Sequence, residues 1–142
     1  MSSRVARYCI FYKLLIVGVL LSVHIDLDAQ VLYIPQSDLY FNFGTLAPGQ
    51  AISPYPTITI TNTGSNILSG SFAYTSNMIQ GINPQSIYLG VGQSRNYQIL
   101  FVTNYLHGDF WETVTVNSNG GSQIITFTGF IDTGIHTVAT PV

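Results

Sequence analysis

A chain of 142 residues with only 7% charged positions and a formal net charge of −2 has no basic surface to neutralise phosphates, which excludes ordinary nucleic-acid binding. Its single cysteine excludes an internal disulfide framework. With 46% apolar residues it has enough material for one ordinary core.

Residues 1–29 read as a signal peptide. Arg4, Arg7 and Lys13 form a basic start, Leu14–Val23 is an apolar run broken only by Gly18 and Ser22, and Ala29 precedes Gln30. The site Leu27-Asp28-Ala29 is an imperfect small-x-small sequence, because Leu27 is not small. The run is far shorter than the roughly 20 residues of a spanning helix; the alternative is an uncleaved anchor. Cys9 lies before the run, unlike a lipoprotein cysteine. Cleavage leaves one basic residue, Arg95, against Asp38, Asp109, Glu112 and Asp132, a net charge of 1 − 4 = −3, and no cysteine. The expected location is secreted, periplasmic or cell surface, with no transmembrane span in the mature chain.

Beyond residue 30 the pattern is all strand. Ile58 and Ile60 alternate with Thr57, Thr59 and Thr61, and Tyr97, Ile99 and Phe101 with Asn96 and Gln98. Phe110, Val114 and Val116 oppose Trp111, Thr113 and Thr115, and Ile125 and Phe127 oppose Thr126 and Thr128. Period-two alternation gives each strand one core face and one wet face. Strands are predicted near 31–34, 38–43, 56–62, 68–74, 86–89, 94–102, 109–117 and 122–131. Turn sequences separate them. Ala47-Pro48-Gly49-Gln50 has the type II signature, and Asn119-Gly120 reads as a hairpin loop. This predicts a β-sandwich of seven to eight strands over residues 30–132, followed by a polar tail, 133–142.

The order of short elements adds to that reading. Phe43-Gly44, Pro48-Gly49, Asn62-Thr63-Gly64, Gly92-Gln93-Ser94, Ile99-Leu100-Phe101, Gly108-Asp109-Phe110 and Phe127-Thr128-Gly129 follow one another through the segment. In this the chain resembles the immunoglobulin-like domains called ASPM-SPD-2-Hydin (ASH) and their bacterial choice-of-anchor relatives, which implies that the sandwich is immunoglobulin-like. Asn42 stands where Asp is usual and Val91 where Pro is usual. The resemblance implies a non-catalytic binding or spacer domain, found in bacteria in exported surface proteins. That family has no shared catalytic residues, so none is carried over.

The chemistry-bearing residues are few. Asp132-Thr133-Gly134 matches the aspartic-protease triplet, but such enzymes need two aspartates sharing a proton within substantial domains. The structural reading is a strand end. His107, Asp109 and Glu112 form the densest titratable cluster, yet parity sends Asp109 and Glu112 to opposite faces. No catalytic residue, metal or cofactor is expected. Trp111 lies opposite the core-facing set of its strand, and Tyr105 in the preceding loop is placed to flank it. Leu100, Ile124 and Phe130 are expected to add outward apolar area where their strands lie adjacent to it. An exposed tryptophan marks a partner contact unless a terminal segment covers it.

The sequence therefore predicts an exported, non-enzymatic module for adhesion, docking or structural roles at a bacterial envelope, its partner another envelope protein or a surface glycan. The alternatives are a carbohydrate-binding module using exposed aromatics, and a periplasmic chaperone or subunit pairing at a sheet edge.

Overall fold

The structure, a computed structural model, describes residues 29–134. The predicted signal peptide, up to Asp28, and the predicted tail from Ile135 onward lie outside these residues. Nine strands follow in chain order: β1 (Leu32–Tyr33), β2 (Tyr40–Leu46), β3 (Thr57–Asn62), β4 (Leu68–Ala73), β5 (Ile79–Asn83), β6 (Ser86–Leu89), β7 (Ser94–Phe101), β8 (Gly108–Ser118) and β9 (Gly121–Ile131). A single 3-10 turn, Gln36–Asp38, joins β1 to β2. One sheet has the order β1-β3-β7-β5 and the other β2-β9-β8-β4-β6. All pairings are antiparallel except β2 with β9. This is an all-β immunoglobulin-like sandwich. Among the described residues no helix is long and apolar enough to cross a membrane.

Alternation explains the core. Ile58 and Ile60 on β3, Tyr97, Ile99 and Phe101 on β7, Phe110, Val114 and Val116 on β8, and Ile125 and Phe127 on β9 are all buried. Threonines fill many of the intervening outward positions, where β-branching favours the extended backbone. Phe101 is the hub of an aromatic cluster. Its ring centroid lies 5.2 Å from Phe43, 5.7 Å from Phe110 and 5.6 Å from Phe127, in tilted geometries that suit ring quadrupoles.

Buried polar groups lock the loops. Asn62 is fully buried, and its side-chain amide donates to the carbonyls of Asn66 (2.7 Å) and Leu89 (3.0 Å) while its oxygen accepts from Gly64 N–H (3.0 Å). Gly49 has φ +67°, as the Pro48-Gly49 pair requires. The buried Thr103 hydroxyl bridges that turn: it donates to Ala47 C=O and accepts from Gln50 N–H, both at 2.7 Å. Asp38 acts like a missing strand, its carboxylate accepting Thr59 N–H at 2.8 Å on the edge of β3 that short β1 leaves open.

Three expectations are corrected. Strand β5 was not predicted, because a register irregularity between Ile79 and Gly81 destroys its alternation. Strand β2 runs on to Leu46 through a bulge between Asn42 and Thr45, past the predicted end at residue 43. The Asn119-Gly120 pair is the two-residue hairpin loop between β8 and β9, as predicted, with its positive φ on Gly121 (+117°). Leu100 lies on β7, in the other sheet from Trp111, and adds nothing to the tryptophan's face.

Candidate functional site

The outer face of the five-stranded sheet carries the site. On β8, even positions point inward and odd positions outward, so burial of Phe110, Val114 and Val116 sends Trp111 into solvent at 68% exposure. The ladder sets its neighbours. Trp111 lies opposite Thr128 on β9, and Thr128 lies opposite Asn42 on β2. Tyr40, half-exposed at 51%, reaches across to Thr128, the two hydroxyls 2.9 Å apart. The bulge in β2 and the bare Gly129 leave a shallow concavity of about 530 Å³ between Tyr40, Asn42, Asp109, Trp111, Thr128 and Phe130. Beneath it Phe110 covers Gly129: a Cβ there would lie 2.7 Å from the Phe110 ring. The face thus carries three aromatic side chains, Tyr40, Trp111 and Phe130, interspersed with hydroxyls and an amide, with Asp109 as its acid.

The other predicted residues separate from it. Tyr105 is 79% exposed, but its hydroxyl lies against Gly49, where a Cβ would come within 2.7 Å. It therefore sits by the Pro48-Gly49 turn, while the concavity holding Trp111 does not include it. Ile124 is exposed on the same face as Trp111, four residues further along the ladder, opposite Thr115. Phe130 is opposite Asp109 and meets His107 edge-on, with centroids 5.0 Å apart.

The titratable cluster is a strand entrance. His107 Nδ1 accepts Thr133 N–H at 3.3 Å and lies 3.9 Å from Asp132 Oδ1. Asp132 also accepts Gly134 N–H at 2.9 Å, which commits the Asp132-Thr133-Gly134 triplet to its own turn. Asp109 and Glu112 point to opposite faces of β8. Among the described residues there is no group of three metal-ligating side chains.

Sequence reasoning missed one feature of this region. β4 pairs with β8 only from Thr115 to Ser118, so the start of β8 has a neighbour on one side alone. A strand length for β4 gives no hint of where its partner outruns it; the signal was present only in the mismatch between six residues of β4 and eleven of β8.

No family model and no curated protein matches the chain. Solved structures do match. The ASH/PapD-like domain of human CEP192 (PapD-like domain 7) superposes with a TM-score of 0.62 at 12% identity, covering 79% of this chain and 92% of that one. A protein of unknown function from Porphyromonas gingivalis gives 0.54 at 15% identity, over 72% of this chain and 47% of that one. A Bacteroides ovatus GH5 xyloglucanase gives 0.50 at 19% identity, over 71% of this chain but only 19% of that one. At these identities the likeness is one of fold, and it agrees with the motif order read from the sequence: the chain has the immunoglobulin-like fold of ASH/PapD-like domains.

Proposed function

We propose that this chain is an exported, non-enzymatic immunoglobulin-like module that docks a partner protein at a bacterial envelope, with Trp111 as the anchor. The observation that carries this is the 68% exposure of an indole on a regular, rigid sheet face. A tryptophan left in water on a strand face gives a partner a large contact area for little ordering entropy. The rigid ladder on its β9 side pre-organises it. Export rests on the Arg4, Arg7, Lys13 and Leu14–Val23 pattern. The test is cross-linking in an envelope fraction with wild type and Trp111→Ala, both shown to fold. Loss of the cross-linked partner in the variant supports the reading; undiminished capture removes it.

A second reading has its own observation. Trp111 and Tyr40 flank a concavity walled by Thr128, Asn42 and Asp109, a combination suited to stacking on a sugar ring and bonding its hydroxyls. Glycan-array binding that disappears in both Trp111→Ala and Tyr40→Ala would favour it over protein docking.

A further inference from the structure

The first half of β8 is an open strand edge inside a sheet. Thr126 N–H donates to Leu39 C=O and Asp132 N–H to Leu46 C=O, so even positions of β9 face β2 and odd positions face β8. In the β8–β9 register, odd positions of β9 lie opposite even positions of β8. Backbone groups of odd β8 residues therefore point the other way. Thr115 and Asn117 face Ala73 and Ser71 of β4, and Asn119 N–H donates to Ser69 C=O. Asp109, Trp111 and Thr113 face the same side with no strand beside them, because the chain after Ala73 leaves the sheet to form β5 in the other one. Each of the three offers a free N–H and a free C=O. Among the described residues the β4 ladder stops at Ala73 opposite Thr115, and no turn or loop backbone group bonds to these three.

The remaining edges are short or blocked. β1 has two residues and β6 four. β5 carries its own irregularity. On β2, Gly44 N–H is bonded to the Asn42 side chain, and the bulge bends the strand. The β8 edge, by contrast, is regular and is held on its other side by the long β9 ladder.

A groove of about 250 Å³ runs beside this edge, with Met78, Leu106, Phe110, Trp111, Asp109 and Glu112 in its lining. Asp109 and Glu112 border it from the two faces of β8, and Asp132 lies close by against His107. Three of the four acids after residue 30 thus gather here, while Arg95 sits at the far end of β7. A second copy of the chain would bring the same acids and no compensating cation, which disfavours it as the occupant.

We propose that the Asp109–Thr113 edge takes an extended lysine- or arginine-bearing peptide segment of the partner as an added strand in line with β4. This deepens the docking reading and rests on it. Main-chain bonds to Asp109, Trp111 and Thr113 hold the segment. Its alternate side chains fall beside Trp111 on one face and into the groove on the other. Basic side chains meet Asp109 and Glu112.

The probe is a capped peptide, Lys-Val-Thr-Val-Thr-Lys, whose two lysines fall on opposite faces of an extended strand, and its counterpart with Glu at both ends, titrated into the 15N-labelled protein. In the free protein the amides of Trp111 and Thr113 exchange fast while those of Glu112 and Val114 are slow. The lysine peptide protects Trp111 and Thr113 and binds about tenfold or more tighter than the glutamate peptide at low salt. Thr113→Pro removes one donor from an edge position, where proline is tolerated, and abolishes this protection. A peptide N-methylated at alternate residues makes the same test in the unaltered protein, and it too gives no protection. Equal exchange at 111–114 in the free protein, or peptides of both charges behaving alike, overturns the proposal. If Thr113→Pro keeps Trp111-dependent capture of the partner, strand addition fails and the docking reading stands. If Trp111→Ala loses nothing while the peptide still binds, the reverse holds.

Discussion

The side-chain amide of Asn62, on β3, donates to the main-chain carbonyl of Leu89, on β6, and so fastens the two sheets to each other at a fully buried point. Its oxygen holds the turn that begins at Gly64. Asn62→Ala strands Leu89 C=O, Asn66 C=O and Gly64 N–H at once. Urea unfolding should show a loss of about 3 kcal/mol, since abandoned buried polar groups carry their full desolvation penalty. Asn96→Ala, which breaks only an exposed side-chain contact with Thr59, should stay within about 0.5 kcal/mol.

Phe101 and Thr115 make a pair of opposites. Phe101 is wholly buried against three other rings, so Phe101→Ala should lose about 3–5 kcal/mol in chemical denaturation. Thr115 lies on the outer face, and Thr115→Ala should lose about half a kcal/mol or less. Equal losses would mean that the β8 register is misplaced.

At Gly49 two penalties coincide. Alanine resists φ +67°, and its methyl would meet the Tyr105 hydroxyl. Gly49→Ala should lower stability by about 1 kcal/mol or more. Because the exposed Tyr105 ring can swing aside, most of that loss should persist in a Tyr105→Ala background, as thermal unfolding of the double variant would reveal.

Tyr97 gives a pH signature. Its hydroxyl is buried beside Phe72 without a hydrogen-bond partner. Burial holds the phenol above its ordinary value of 10.0, and the nearby Arg95 charge opposes this without overcoming it. A phenol with a raised folded-state pKa keeps its proton more tightly when folded. Stability from this source is whole below pH 10 and declines as pH climbs toward the raised value. Melting temperature against pH should therefore bend downward above about pH 10, and Tyr97→Phe should soften the bend while leaving neutral-pH stability equal or slightly higher.

Trp111→Ala should leave stability within about 0.5 kcal/mol, because the indole has little buried area to lose. A loss of several kcal/mol would show that the side chain is structural, and would remove the ground for reading it as a docking anchor.

Much of this was written in local pattern. Strands β3, β7, β8 and β9 alternate cleanly, and the exposure of Trp111 follows from counting parity against Phe110 and Val114. β5 escaped because Gly81, Asn83 and Pro84 resemble loop residues and its irregular register breaks the alternation. Tyr105 illustrates a different limit. Nearness in sequence to Trp111 placed it at the tryptophan's side, but loop direction is set by Thr103 and Asn104 bonding back to the Pro48-Gly49 turn. The open edge of β8 depends on where β4 departs, which is a property of two strands together and of neither alone.

The parallel pairing of β2 with β9 joins nearly the first strand to the last, Tyr40 opposite Thr126. A chain that emerges from its N-terminus onward makes β2 early and must wait for its partner. Until Gly121–Ile131 arrives, Phe41 and Phe43 have no Phe127 to stack against. Closing so long a loop is entropically slow. The interval before the last strand docks is then the window in which these two rings are open to chaperones, proteases and other unfinished chains.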